Sequence, residues 1–354
     1  MEKGAGKLNT LKKLFALSRD AVIGVNKGAV VFTNAPAERL FGRDPTGERV
    51  AVLLPELDEG ALFEDCVTAV TINGAGHTVS CVAHEGMQIL TVLREVAAPV
   101  NAGAALISRM RSEAYRLRFS IDRLLASRPD EDEYVRILYH SFYSLTHLIG
   151  QLSDAEALSR GDMPLRTATL DLGTLARELT DSVAYFVRDR DVTIHFEAEK
   201  GPFIVSGDRE RLEQLLLILL SNALLHARPG GIIRIGLESA SRSHILCVDD
   251  DGEGMDETAL SYAFSLREDA SPSFAAGGAG MGLYIAYALA RQHGGTVLLR
   301  SAPGEGTRVR VTLPAHEGFV LHDAPREPAR GPELILTELS GVLGAEAYDP
   351  KYRQ

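Results

Sequence analysis

The chain has 354 residues, too many for one ordinary core, so two or three domains are expected. Its 45% hydrophobic and 24% charged residues are those of a folded soluble protein, while a net charge of −11 argues against nucleic acid or an anionic membrane as partner. No apolar run approaches the ~20 residues of a membrane-spanning helix. The lysines near Met1 precede no apolar signal segment, so a cytoplasmic location is expected. Cys66, Cys81 and Cys247 have neither metal nor redox spacing and read as buried, reduced residues.

In chain order, Leu8, Leu11, Leu14 and Phe15 give residues 8–17 a helical stripe. Ala21 to Val25 reads as a strand, Asn26-Lys27-Gly28 as a turn, and Ala29 to Thr33 as the hairpin partner. Asn34 can cap a short helix whose first turn holds Pro36 and whose end is Gly42. Further strands are expected at His77 to Ala83 and Gln88 to Glu95. The hairpin followed by Asn34-x-x-Ala37-x-x-x-x-Gly42 resembles a PAS domain, which implies a small α/β sensor over residues 8–97. No His or Cys pattern here identifies haem or flavin, so no PAS ligand is assigned. His77 and His84 read as loop or surface residues.

Between residues 101 and 160, Ile107, Met110, Ala114, Leu117, Ile121 and Leu124 recur in steps of three and four. Ser127-Arg128-Pro129-Asp130 interrupts this seam. Tyr134, Leu138, Ser141 or Phe142, Leu145, Leu148 and Leu152 resume it. Two antiparallel helices of this kind bury their stripes best by dimerising into a four-helix bundle. Arg109, Arg111, Arg116, Arg118 and Arg123 lie off the seam, as a solvated surface or as a docking face for an acidic partner or phosphates. His140 and His147, seven apart on one outward line, read as surface histidines.

Residues 166–315 carry the denser pattern. Asp171 caps a helix expected to reach Arg188, and Val192 to Glu197 alternates as a strand. A short strand at Phe203 to Asp208 leads into a helix over Arg209 to Ala227, where Leu212, Leu215, Leu216, Leu219 and Ala223 form the core stripe. Asn222 sits beside that stripe as an amide in need of a partner. Strands are expected at Ile232 to Leu237 and His244 to Val248, giving way to Asp250-x-Gly252-x-Gly254. A carboxylate at a strand end can accept from an adenine amino group, and flanking glycines let backbone approach the base. Glu257 to Gly277, rich in Ala, Ser, Gly and charge, reads as a mobile lid. Gly278 to Gly282 opens the next helix, where uncapped N–H groups and the dipole suit phosphate. Closing strands are expected at Thr296 to Arg300 and Thr307 to Leu313.

Taken with His293-Gly294-Gly295 and Pro303-Gly304-Glu305-Gly306-Thr307, this series resembles the ATP-binding domain of histidine kinases, gyrase, Hsp90 and MutL-type ATPases. The resemblance implies an α+β multidomain protein: a PAS-like sensor, a two-helix hairpin and an α/β-sandwich ATPase domain of the GHKL type. It implies ATP and Mg²⁺ as cofactors. Asp250 would contact adenine, with Gly252, Gly254 and Met255 around the base. Asn222 would hold Mg²⁺, and His226, Gly278, Gly280, Met281, Gly282, Leu283 and Thr307 would complete the ATP site. A homodimer and a response regulator, or another signalling kinase, are the implied partners.

The order PAS, hairpin, ATPase is that of sensor histidine kinases, which phosphorylate a histidine on the first hairpin helix. Here Ser112 occupies that position, followed by Glu113, and serine oxygen cannot form a phosphoramidate. His140 and His147 are the weak substitutes. The family's N-x-x-x-N-A-x-K helix has Ile218 and Leu225 in place of its first Asn and its Lys. The resemblance therefore admits a second reading, a degenerate kinase that serves as a nucleotide-responsive scaffold. Residues 316–332 read as a linker, and 333–347 as a helix with one apolar side (Leu334, Ile335, Leu336, Leu339, Val342, Leu343) that meets the chain or a partner.

Overall fold

The computed structural model describes Phe15, residues 21–57, 66–73, 75–84, 87–95, Met110, Ala114, Leu117, Ile121, and residues 132–265, 281–317 and 331–349. Two compact units are assembled from discontinuous stretches. Met1–Ala97, Met255–Ser265 and Thr296–Pro303 make the first, and Ala98–Gly254, Leu266–Gly295 and Gly304–Gln354 the second.

The first unit starts with the hairpin β1 (Ala21–Asn26) and β2 (Ala29–Thr33). Lys27 (φ 50°) and Gly28 (φ 75°) both take positive φ, the requirement of the tight turn that matches strand twist. Helix α1 (Ala35–Phe41) is capped by Asn34 and ended by Gly42 at φ 69°. Asn34 does more than cap. Its Oδ1 accepts from Ala37 N (3.0 Å) and Val22 N (2.9 Å), and its Nδ2 donates to Phe15 O (3.2 Å). A short α2 (Val50–Leu53) precedes β3 (Cys66–Ile72), β4 (Ala75–His84) and β5 (Met87–Glu95). Neither α2 nor β3 is expected from the sequence. Of the second hairpin's predicted strands, both are present and slightly longer.

Alternation along β4 turns His77, Val79 and Cys81 inward, so His77 is a buried strand residue, 7% exposed, rather than a loop or surface one. His84 is the last residue of the same strand. Cys66 and Cys81 are buried directly opposite each other across β3 and β4, while Cys247, in the second unit, is half-buried. One sheet face builds the larger core from Ile23, Val25, Val70, Val79 and Leu90; Val22, Phe32 and Ile89, with Phe15, pack the other.

In chain order the rest comprises α3 (Asp132–Arg160), β6 (Ala168–Asp171), α4 (Leu172–Phe186), β7 (Val192–Ala198), β8 (Ile204–Gly207) and α5 (Arg209–His226). Next come β9 (Gly231–Ala240), β10 (Ser243–Asp250), α6 (Glu257–Ser261), α7 (Gly282–Gln292), β11 (Thr296–Ala302), β12 (Gly306–Pro314) and α8 (Gly331–Glu338), with a 3₁₀ turn at Ala345–Tyr348. Strand β11 belongs to the first unit, where it pairs antiparallel with β3 and completes the order β2-β1-β5-β4-β3-β11.

The sheet of the second unit runs β12-β10-β9-β7, with only β7 and β9 parallel. Helix α4 packs on β7, α5 on β10 and α7 on β12. The sequence of α5 explains its place: every residue from Leu212 to Leu220 is buried, as a helix apolar nearly all round requires. Its other sides meet α3, α7 and α8 or their immediate neighbours. In the hairpin region, Met110, Ala114, Leu117 and Ile121 are helical, with Ala114 and Ile121 buried and Leu117 38% exposed. Ile107, Leu124, the Ser127–Asp130 break, the first-helix arginines and Ser112 lie outside the described residues.

Candidate functional site: a carboxylate held at the end of β10

Inward residues alternate along β10 through His244, Leu246, Val248 and Asp250, which brings the last carboxylate to the edge of the core, 7% exposed. Its Oδ1 accepts the backbone N–H of Gly252 (3.0 Å) and of Thr307 (3.2 Å). Burial raises its pKa, and those two hydrogen bonds oppose the rise. Both donors converge on Oδ1, leaving Oδ2 to accept from a ligand's amino group.

Two glycines make this arrangement possible. A Cβ at Gly252 would meet the His226 carbonyl oxygen and lie 2.8 Å from Asp250 Oδ1. A Cβ at Gly306, where φ is +84°, would meet the Asp250 carbonyl. Neighbouring Asp251 accepts from Ile232 N (2.9 Å), and Arg228 donates to Gly304 O (2.8 Å). The glycine turns and the carboxylate thus form one braced edge.

The remaining residues of the series divide. Gly254 takes φ +69°, and His226 is exposed at the last turn of α5. Gly282 is the first residue of α7, Met281 precedes it without a side-chain cap, and Leu283 is buried in the core. An uncapped first turn leaves backbone N–H groups for an anion. Met255 belongs to the first unit, where its N–H donates to Ser301 Oγ (2.8 Å). Gly278 and Gly280 lie outside the described residues. The start of the expected lid is instead regular: α6 is capped by Asp256, and Phe264 is fully buried.

Asn222 is half-buried on α5, one turn after Ile218. Ile218 is 4% exposed, and its Cγ2 lies 3.2 Å from where a Gly282 Cβ would be. It therefore packs on the first turn of α7 as an apolar residue. Leu225 is half-buried near the end of the same helix. His293, from the His-Gly-Gly motif, is a structural bridge. Its Nε2 accepts from Asp208 N (3.0 Å) and its Nδ1–H donates to Leu289 O (2.7 Å), which fixes a neutral imidazole whose pKa burial lowers.

The two hairpin histidines are not surface residues. His147 is 7% exposed; Gln151 Nε2 donates to its Nε2 (2.9 Å). His140 Nε2–H donates to Ser340 O (2.9 Å), and its ring lies 5.1 Å from that of Tyr348. Both imidazoles face residues from the C-terminal segment, a partner that heptad spacing along α3 does not reveal.

The family of histidine kinase-, DNA gyrase B- and HSP90-like ATPases matches residues 207–317, which contain the whole braced edge. The probable sensor histidine kinase TcrY of Mycobacterium tuberculosis is 32% identical over 184 residues, 51% of this chain and 38% of that protein. Sensor histidine kinase YkoH of Bacillus subtilis is 30% identical over 196 residues, 54% of this chain and 42% of the relative. The alginate biosynthesis sensor protein KinB of Pseudomonas aeruginosa is 27% identical over 328 residues, 83% of this chain and 54% of the relative. The chain thus spans about half the length, or less, of these relatives. A solved structure of histidine kinase ThkA in complex with response regulator protein TrrA is 18% identical, with a TM-score of 0.41 over 86% of this chain and 98% of that one. With the ATPase family matched across the Asp250 edge and sensor histidine kinases aligned over half the chain or more, residues 207–317 are a histidine kinase-, DNA gyrase B- and HSP90-like ATPase domain in a chain similar to sensor histidine kinases.

Proposed function

We propose that the chain binds ATP at the Asp250 edge and works in two-component signalling, moving a phosphoryl group through a histidine to an aspartate on a response regulator. The observation that carries this reading is the geometry of Asp250. Its Oδ1 is fixed by two backbone donors, Gly252 brings backbone close without a Cβ, and Oδ2 remains as acceptor for the exocyclic amine of adenine. The residues fit an adenine nucleotide by that test. The uncapped first turn of α7 is the matching end for its phosphates.

The fit to Mg²⁺ is narrower. Asn222 offers one amide oxygen, Ile218 offers none, and among the described residues no group of three His, Cys, Asp or Glu could hold a metal ion. Bound Mg²⁺ would rest on Asn222 and the nucleotide's own oxygens, and it would screen phosphate charge. Ile218 is the specific observation behind the second reading, a nucleotide-responsive scaffold that regulates a partner without phosphoryl transfer. An apolar residue at the first position of the N-x-x-x-N-A-x-K pattern that the resemblance implies weakens electrostatic stabilisation of the transferring group.

A homodimer completes the proposal. Helix α3 leaves Tyr134 68%, Ile137 46% and Leu148 40% exposed, a partly uncovered apolar line that a second copy would bury. The first unit serves as the PAS-like sensor, with its antiparallel sheet and cores packed on both faces. Among the described residues no helix is long and apolar enough to cross a membrane. Purified protein incubated with Mg²⁺ and γ-labelled ATP tests the reading. Acid-labile, base-stable label on the chain supports phosphoryl transfer; nucleotide binding without label leaves the scaffold, and absence of binding overturns both.

A further inference from the structure

The C-terminal stretch takes no part in the nucleotide edge. It covers α3 and the end of α5. Ile335, Leu336, Leu339, Leu343 and Tyr348 are buried, and the Tyr348 hydroxyl donates back to Leu336 O (2.9 Å), closing the stretch on itself. Tyr348 also lies 5.4 Å from the Tyr143 ring of α3. Arg190, in the loop after α4, donates to Val342 O (2.7 Å) and to Leu224 O (3.2 Å), so one guanidinium ties the stretch to α5.

We propose that residues 331–349 form a detachable latch that holds α3 against the ATP-binding fold and shields His140 and His147. An integral element would centre such a contact on apolar groups. Here the centre is a pair of ionisable side chains, His147 and Glu338, each 7% exposed, with Nδ1 and Oε2 3.5 Å apart. That is too long for a hydrogen bond. His147 Nδ1, Glu338 Oε2 and the nearby Gln151 Oε1 all lack a hydrogen-bond partner among the described residues. Buried polar atoms left in this way oppose the apolar gain and bring docked and undocked states close in free energy.

Protonation sets the balance. Burial pushes Glu338 up to about 8, with Asp154 adding to the rise and Arg211 opposing it. Burial pushes His147 down to about 4. The other charged groups around the pair are themselves paired: Asp154 on α3 meets Arg211 on α5 (3.3 Å) and Gln214 (2.6 Å), and Arg190 is spent on carbonyls. His140 donates to Ser340 O, and Glu333 on the latch helix is exposed. Between pH 4 and 8 the docked pair therefore holds one proton, on Glu338. Undocked, with the ordinary values of 4.5 and 6.5, the same two side chains hold none above pH 6.5 and one between 4.5 and 6.5. Docking takes up one proton above pH 6.5, so the latch loosens as pH rises from 6.5 to 8 and is insensitive to pH just below that window.

Amide hydrogen exchange on the full chain, corrected for intrinsic rates, reads this out without nucleotide, so it stands apart from the kinase reading. Because undocked His147 is half-protonated at pH 6.5 and docked Glu338 is half-ionised at pH 8, linkage across the window predicts that protection of Ile335 to Leu339 falls about eightfold between pH 6.5 and 8. Glu338→Gln, a neutral isostere, should keep protection and lose the pH dependence. Leu339→Glu should release the stretch at every pH while amides of α5 and β10 stay protected. Protection in the wild type that is flat with pH, or lost in Glu338→Gln, overturns the proposal. So does loss of α5 protection in Leu339→Glu, which would make the stretch integral.

Discussion

Asp250→Asn separates the two duties of one carboxylate. The amide keeps an oxygen for the Gly252 and Thr307 N–H groups, now at 3.0 and 3.2 Å, and removes a charge that burial disfavours. The melting temperature should therefore stay level or rise. On the ligand side the acceptor Oδ2 becomes an NH₂ facing the adenine amino group, donor against donor. Losing a hydrogen bond to a charged acceptor is worth about 1.5–3 kcal/mol, which corresponds to about tenfold to a hundredfold weaker ATP binding. Guanine presents a carbonyl at that edge, so the variant should narrow or reverse the preference for ATP over GTP. Calorimetric titration with each nucleotide, alongside thermal melts, measures both effects. ATP affinity within about threefold of wild type, with folding unchanged, would refute the assignment of Oδ2 to adenine.

Gly306→Ala should destabilise the chain by about 2 kcal/mol or more, read from urea midpoints, because the residue sits at φ +84° and its Cβ would meet the Asp250 carbonyl. His293→Phe removes the Asp208–Leu289 bridge and should cost about 1–3 kcal/mol at pH 7.5. The folded pKa of His293 lies below its unfolded value, so its contribution is fully present above about pH 6.5 and declines as pH falls below it. The stability difference between wild type and His293→Phe should accordingly shrink from pH 7.5 to 5; a constant or growing difference contradicts the neutral tautomer. Leu148→Glu places a charge on the exposed line of α3; if a second copy covers that line as proposed, the variant should be monomeric by light scattering where the wild type is dimeric, with the fold intact.

Features written in local codes were legible in the sequence. Asn34, Pro36 and Gly42 bound α1 where expected, and Asp171 caps α4; Asp208, read as the end of a strand, proves to cap α5. The Asp250-x-Gly252-x-Gly254 run stood out at the end of a strand, because a carboxylate and two nearby glycines carry their chemistry with them, but the Gly252 N–H bond to Oδ1 was not legible. The Thr307 N–H that completes it comes from a strand 57 residues away, and only the β10–β12 register brings it there. Strand β3 is a different case: Val67-Thr68-Ala69-Val70-Thr71-Ile72 is a β-branched run that strand propensity would have caught. The histidines of α3 were misplaced for a physical reason. An outward heptad position faces whatever the rest of the chain brings, and here that is a stretch almost 200 residues further on.

Leu298 sits in the core of the first unit, and Thr68 Oγ1 donates to Val297 O across 229 residues of sequence. Synthesis from the N-terminal side therefore exposes that edge of β3 until residues 296–302 have been made. A strand paired on one side only, by β4, and rich in β-branched residues is an open edge that can template association with other chains. Expression of residues 1–97 alone should yield a sticky, oligomer-prone product rather than an autonomous domain, and a fragment extended with the β11 sequence Thr296–Ala302 should be the soluble one.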